Sequence, residues 1–167
     1  MKLEWLGTYR ELMEKIIKYA NIYTRTYTNK RYYNTKISLS AVEIQTLEYV
    51  LENEEKHQKM AELAQRLGVS PSAFSRNVKE MINKGLLEKY HSEGNKKDII
   101  IQPSHFGREV YSDYSRFVQQ DFLEKMIQQL DDIPEEHIEK FARTLDILAD
   151  DLIKHPDAKT ERLVKIE

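Results

Sequence analysis

The chain contains no cysteine at all. That excludes a disulfide framework, a thiolate nucleophile, a Cys-ligated metal and a thiol redox switch. Glycine is scarce, at five residues in 167, and no glycine-rich phosphate loop is present. No serine stands in a nucleophile-elbow context. The five histidines, His57, His91, His105, His137 and His155, lack metal-ligand spacing, and Glu135-Glu136-His137 reads as helix-dipole complementation. These absences argue against an enzyme and predict no metal and no cofactor. No apolar run approaches the ~18 residues of a membrane span. The opening Met-Lys-Leu-Glu-Trp-Leu carries charge inside its apolar stretch. No membrane association, no secretory signal and a cytoplasmic location are therefore expected.

What is present is an ordinary charged surface, 32% Asp, Glu, Lys and Arg, unevenly spread. Formal net charge is −2, but residues 60–97 carry seven cations against four carboxylates, while residues 121–155 carry ten carboxylates against four cations. A mildly basic centre beside an acidic end suits a protein that meets a polyanion with one face. Charge scatter alone would look similar.

Hydrophobic spacing supplies the elements. Apolar residues from Trp5 to Tyr27 recur every three or four positions, predicting one long amphipathic helix. Asn34–Lys36 reads as a connector. Ser40 with Glu43 forms a capping box that opens a helix over 41–52 with Val42, Ile44, Leu47, Val50 and Leu51 inward. A short helix over 60–67 closes at Gly68. Ser70 caps the next, with Pro71 in its first turn, and Gly85 ends it. Residues 86–91 and 97–102 are strand candidates around Ser92-Glu93-Gly94-Asn95. Ser104 caps a long helix striped from Val110 to Leu130, and Pro134 opens a last one striped from Ile138 to Ile153. The expected fold is mainly α with a small β-hairpin.

Residues 60–79 fit a helix-turn-helix. Ala64 allows close helix crossing, Gly68 permits a positive φ in the turn, and Leu63, Leu67 and Val69 fill a small core. With Phe74, Val78, Met81 and Ile82 inward, the second helix presents Ser72, Ser75, Arg76, Lys79 and Asn83. Arginine pairs with guanine O6 and N7, and hydroxyls reach phosphates or bases. A cationic stripe is usually only a solvated face. Here it sits on the second helix of a turn motif, directly before a hairpin tipped by Asn95, Lys96 and Lys97, which suits phosphates or a narrow minor groove. The reading is double-stranded DNA binding. The competing reading, a winged-helix protein-interaction module without DNA binding, predicts a neutral or acidic face.

In this order, a helix, a capped helix, Leu63-Ala64…Leu67-Gly68-Val69-Ser70…Phe74-Ser75-Arg76…Val78…Met81…Lys84-Gly85-Leu86-Leu87, a wing and two C-terminal helices resemble the MarR family of bacterial transcription regulators over about residues 5–155. The resemblance implies a winged helix-turn-helix over 37–103, and a helical dimerisation region made of 1–36 plus 104–155. Residues 156–167 are then expected to form a frayed tail. It implies a homodimer on a pseudo-palindromic operator, a regulator of the repressor type, with Ser70, Ser72, Ser75, Arg76 and Lys79 as recognition-helix contacts. The family's usual Asp-Arg-Arg wing tip is replaced by Asn95-Lys96-Lys97, which keeps charge but loses the planar fork. Pairing of two copies also follows physically. A first helix of ~35 Å is too long for a winged domain to cover, so its stripe needs a second copy.

Family members often bind a small molecule between the dimerisation helices and the winged domain. Tyr19, Tyr32, Tyr33, Tyr49 and Arg25 are the candidates for a small aromatic effector, with Lys36 as a second cation that could meet a carboxylate. Tyr23 and Tyr27 read instead as core or dimer contacts.

Overall fold

The structure is a computed structural model that describes residues 4–92 and 95–154. It divides into two compact units, one ending at Asp121 and the other beginning at Phe122.

The first unit opens with a 3-10 turn over Glu4–Tyr9, followed by α1, Arg10–Thr26. The predicted single helix from Trp5 is thus interrupted. Gly7 takes φ 49°, a left-handed conformation open to glycine, and breaks the helical run. None of α1's residues is fully buried. A connector then leads to α2, Ala41–Glu52. It is pinned by two backbone hydrogen bonds of 2.9 Å between Arg31 and Leu39. The Ser40 capping box forms as expected: the Ser40 amide donates to Glu43 Oε2 at 2.9 Å, and the Glu43 amide donates to Ser40 Oγ at 3.4 Å.

Helix α2 buries Ile44, Leu47 and Val50, but also Glu43 and Thr46. Val42 and Leu51 are only partly buried. The two buried polar residues were not anticipated, and both have partners. Lys84 Nζ donates to Glu43 Oε1 at 2.6 Å, and Asn77 Nδ2 donates to Thr46 Oγ1 at 2.8 Å. A buried carboxylate is tolerable only with such compensation.

A short 3-10 turn, Glu54–Lys56, precedes α3, Met60–Arg66, and α4, Pro71–Asn83. Strands β1, Leu87–Ser92, and β2, Asn95–Pro103, pair antiparallel from Leu87↔Pro103 to His91↔Ile99, with a bulge before Ser92↔Asn95. The ladder therefore reaches nearer the tip than 97–102. Helix α5, His105–Val118, starts at Ser104, whose Oγ accepts from the Gly107 amide at 2.9 Å. Leu39, Ile44, Leu47, Leu63, Phe74, Val78, Met81, Leu86, Leu87, Ile101 and Val110 form one core beneath α2, α3, α4 and the hairpin.

A π-helical turn over Gln119–Leu123 separates α5 from α6, Glu124–Leu130, so the expected unbroken helix from 104 to 130 is two helices. The second unit continues with α7, Glu135–Lys154. Taken by itself, α7 exposes Ile138, Phe141, Leu145, Ile147, Leu152 and Ile153. Residues 156–167, expected to fray, lie outside the described residues. Among the described residues no helix is long and apolar enough to cross a membrane.

Candidate nucleic-acid interface

Helix α3 meets α4 through Ala64, which is buried where a larger side chain would force the helices apart. The turn between them rests on Gly68 at φ 66° and on the Val69 amide, which donates to Ala64 carbonyl oxygen at 3.1 Å. Ser70 Oγ accepts from the Ala73 amide at 3.2 Å, and Pro71 occupies the first turn, where its missing N–H is of no consequence. These local choices launch α4 in a defined direction. Phe74 (1% exposed), Val78 (0%) and Met81 (0%) then fix its roll.

With that side buried, the opposite side faces solvent. Ser72, Ser75, Arg76, Lys79 and Asn83 are all exposed, as is Ser70 at the cap. Ser70 and Ser72 hydroxyls lie 3.2 Å apart. Arg76 makes no hydrogen bond or ion pair among the described residues, so its guanidinium keeps its donors available. The single carboxylate of α4, Glu80, forms a short ion pair with Lys30 from the α1–α2 connector. The hydrogen bond to Lys30 holds the Glu80 carboxyl below the usual carboxylate range and raises the Lys30 ammonium correspondingly. Neither Lys30 nor the buried Glu43–Lys84 pair was visible to sequence reasoning. The residues of each pair are separated by 50 and 41 positions, and no periodicity connects them.

At the wing, Asn95, Lys96 and Lys97 belong to β2, but their side chains lie outside the described residues. Nearer the base, Tyr90 is exposed and donates to Glu88 Oε2 at 2.6 Å, and Gln102 Nε2 donates to the Glu54 carbonyl at 3.3 Å. Arg108 of α5 clamps both carboxylate oxygens of Glu54, tying the turn before α3 to α5.

The effector candidates divide. The phenol of Tyr23 lies within electrostatic reach of Tyr19, Tyr33 and Tyr49, so these three share one neighbourhood around it. Tyr33 packs edge-on to Tyr114 and Phe117, with centroids 5.4 and 6.0 Å apart. Tyr19 stacks on Tyr23 at 5.8 Å. Arg66 lies over the Tyr49 ring at 3.8 Å. Arg25 and Tyr32 face solvent, and Lys36 is engaged by Glu109 at 3.1 Å. Burial pushes Tyr27 and Tyr111 up to about 12. The Glu48 carboxylate lies within electrostatic reach of Tyr111 and Tyr114, and that of Glu52 within reach of Tyr111. Among the described residues no group of three or more His, Asp or Glu is placed to hold a metal.

A buried-core pair of helices, a second helix with one exposed cationic side, and an antiparallel wing define a winged helix-turn-helix protein. Residues 37–98 match the MarR family model. No curated protein matches the chain. Among solved structures the chain is similar to S. aureus MepR in complex with DNA, at 13% identity and a TM-score of 0.62, covering 87% of this chain and 99% of that one. It is similar also to the MarR/EmrR family transcriptional regulator of Acinetobacter sp. ADP1, at 20% and 0.63, covering 87% and 96%. A third is Streptococcus pneumoniae FabT in complex with DNA, at 19% and 0.59, covering 89% and 99%. Identities this low establish likeness of fold. The winged domain, residues 37–98, is matched by the MarR family, and the rest of the chain shares the fold of these solved structures.

Proposed function

We propose that this regulator is a sequence-specific DNA-binding repressor that acts as a homodimer on a pseudo-palindromic operator. The observation that carries the proposal is the two-sidedness of α4: Phe74, Val78 and Met81 are sealed into the core while Ser72, Ser75, Arg76 and Lys79 stand in solvent with the helix's own carboxylate, Glu80, already paired. Such a helix presents hydroxyls and cations to a major groove about 12 Å wide. Arg76 is assigned to a guanine edge, Ser70, Ser72, Ser75 and Lys79 to phosphates or neighbouring bases, and Asn95, Lys96 and Lys97 to the backbone beside the wing. Lysines at the tip make this last contribution strongly salt-dependent.

The homodimer is supported by apolar surface that a single chain leaves in water. On α1, Leu12, Ile17 and Ile22 are exposed, and Leu6, Met13, Ile17 and Ile22 line a shallow groove of about 630 Å³. The stripe on α7 is similarly uncovered. A second copy that covers both removes the exposed patches. The proposed dimerisation region is residues 1–36 plus 104–155, and the proposed DNA-binding domain is residues 37–103. Release by a small aromatic effector at the Tyr19, Tyr33 and Tyr49 neighbourhood completes the reading. The Glu48 carboxylate beside Tyr114, the ring that Tyr33 packs against, favours a ligand that brings a hydrogen-bond donor.

Selection of bound sequences from random double-stranded DNA by the purified protein tests the proposal. The expected product is an inverted repeat with half-sites about one helical turn apart. A pool that emerges without enrichment refutes DNA reading. Enrichment of a single asymmetric half-site refutes the dimeric arrangement.

A further inference from the structure

Glu80 stands four residues after Arg76 and four before Lys84, so α4 offers its one carboxylate two cationic partners at helical spacing. It takes neither. Lys84 is engaged elsewhere, with Nζ donating to Glu43 Oε1 at 2.6 Å and to the Ser38 carbonyl at 3.2 Å. Glu80 is instead bound by Lys30, fifty residues earlier in the chain. Lys30 is not a free-swinging surface lysine at its backbone: the Asn29 amide donates to Thr26 carbonyl oxygen at 3.0 Å, and the Arg31–Leu39 bridge follows immediately. Lys30, Arg76 and Glu80 line the same groove of about 520 Å³, together with Val42, Val69 and Phe74, and Arg76 stands one helical turn from Glu80.

We propose that Lys30 is a positioning residue for Arg76: by holding the Glu80 carboxylate, it prevents an Arg76–Glu80 ion pair on α4 and keeps the guanidinium available to a base edge. The competition is close enough for one lysine to decide it. Exposed ion pairs are weak, and a base placed N-terminal to its acid is the less favourable order on a helix. Lys30, set by the connector, therefore displaces Arg76 as partner. If Lys30 is withdrawn, Glu80 turns to Arg76, which then loses charge and donors without any movement of α4. The inference rests on the assignment of Arg76 to DNA, but the exchange of partners does not.

The first test needs no DNA. The Glu80 side-chain carboxyl is titrated by NMR in the full-length wild type, in Lys30→Met, in Arg76→Gln and in the double variant. Arg76→Gln is expected to leave the Glu80 midpoint in place in the wild type and to raise it in the Lys30→Met background. Equal effects in both backgrounds, or none in either, overturn the exchange. The second test measures binding to the selected DNA. Lys30→Met should weaken it about fivefold, the size of one weak surface ion pair converted to affinity. Lys30→Arg should retain it, and adding Glu80→Gln to Lys30→Met should restore it. A double variant as weak as Lys30→Met would make Lys30 a phosphate contact in its own right and end the proposal. Absence of all DNA binding would refute the repressor reading and leave the titration to decide the partner exchange.

Discussion

Arg76 and Gly107 show how single residues carry opposite kinds of constraint. Arg76 is exposed and has no partner among the described residues, so its replacement should leave the fold intact and act on recognition. Arg76→Ala is expected to cost about 1–3 kcal/mol on the specific site and to relax preference at one base pair. Competition binding against single-position operator variants checks this, and a uniform loss on every sequence would make Arg76 a phosphate contact. Gly107 is buried in the first turn of α5, where an added Cβ would lie 2.2 Å from the Leu86 carbonyl oxygen. In an open helix, Gly→Ala would stabilise by about 1 kcal/mol. Here the clash with backbone reverses the sign, and Gly107→Ala should lower stability by roughly 1–3 kcal/mol in denaturant melts. A stabilised variant would show that α5 can move off Leu86 freely. No local signal in the sequence explains Gly107, because its reason is a contact with a residue twenty-one positions away.

At the scale of elements, α2 and α4 are joined by polar contacts as well as by the core. The Glu43 side chain is 1% exposed and the Lys84 side chain 22%, and the pair sits where the start of α2 meets the end of α4. Removing the cation leaves a buried carboxylate with only its Ser40 partners. Lys84→Met should therefore destabilise by roughly 3 kcal/mol. Adding Glu43→Gln should recover part of that loss, which a double-mutant cycle by chemical denaturation measures. A loss under about 1 kcal/mol for Lys84→Met would mean that Ser40 alone satisfies Glu43. The boundaries of α2, α3 and α4 were readable from caps and glycines because those signals act within one turn of chain. The break at Gly7 and the π-helical turn before α6 were not, because an apolar stripe runs through both without interruption.

For the whole molecule, the tyrosine cluster and the uncovered apolar helices each predict a measurement. Ten tyrosines are present, and burial raises Tyr27 and Tyr111 from 10.0 to about 12. A raised folded value means that the native state holds these protons more tightly. The associated stability is complete below pH 10 and is lost as pH rises from there towards 12. An alkaline absorbance titration should show the exposed phenols ionising first and a buried group lagging until the protein unfolds. Ionisation of all ten in one step near pH 10 would contradict the packing around Tyr23. The solution mass should be twice 19.8 kDa. Ile17→Glu combined with Leu145→Glu should reduce it to one chain, as sedimentation equilibrium would report. A wild-type monomer would remove the basis for a twofold operator.

Local rules alone determined the helix-turn-helix: a serine that caps, a proline tolerated in a first turn, a glycine able to take φ 66°, and apolar residues at helical spacing, each satisfied within a few residues of itself. The exposed and buried sides of α4 followed from the same periodicity. Only the tertiary structure decided which charges neutralise which. It brought Lys30 to Glu80, Lys84 to Glu43 and Arg108 to Glu54, and gathered Tyr19, Tyr33 and Tyr49 around Tyr23. The physical reason is range. Backbone preference and hydrophobic period act along the chain, whereas an ion pair or a ring contact forms between groups that the packed core has already brought together.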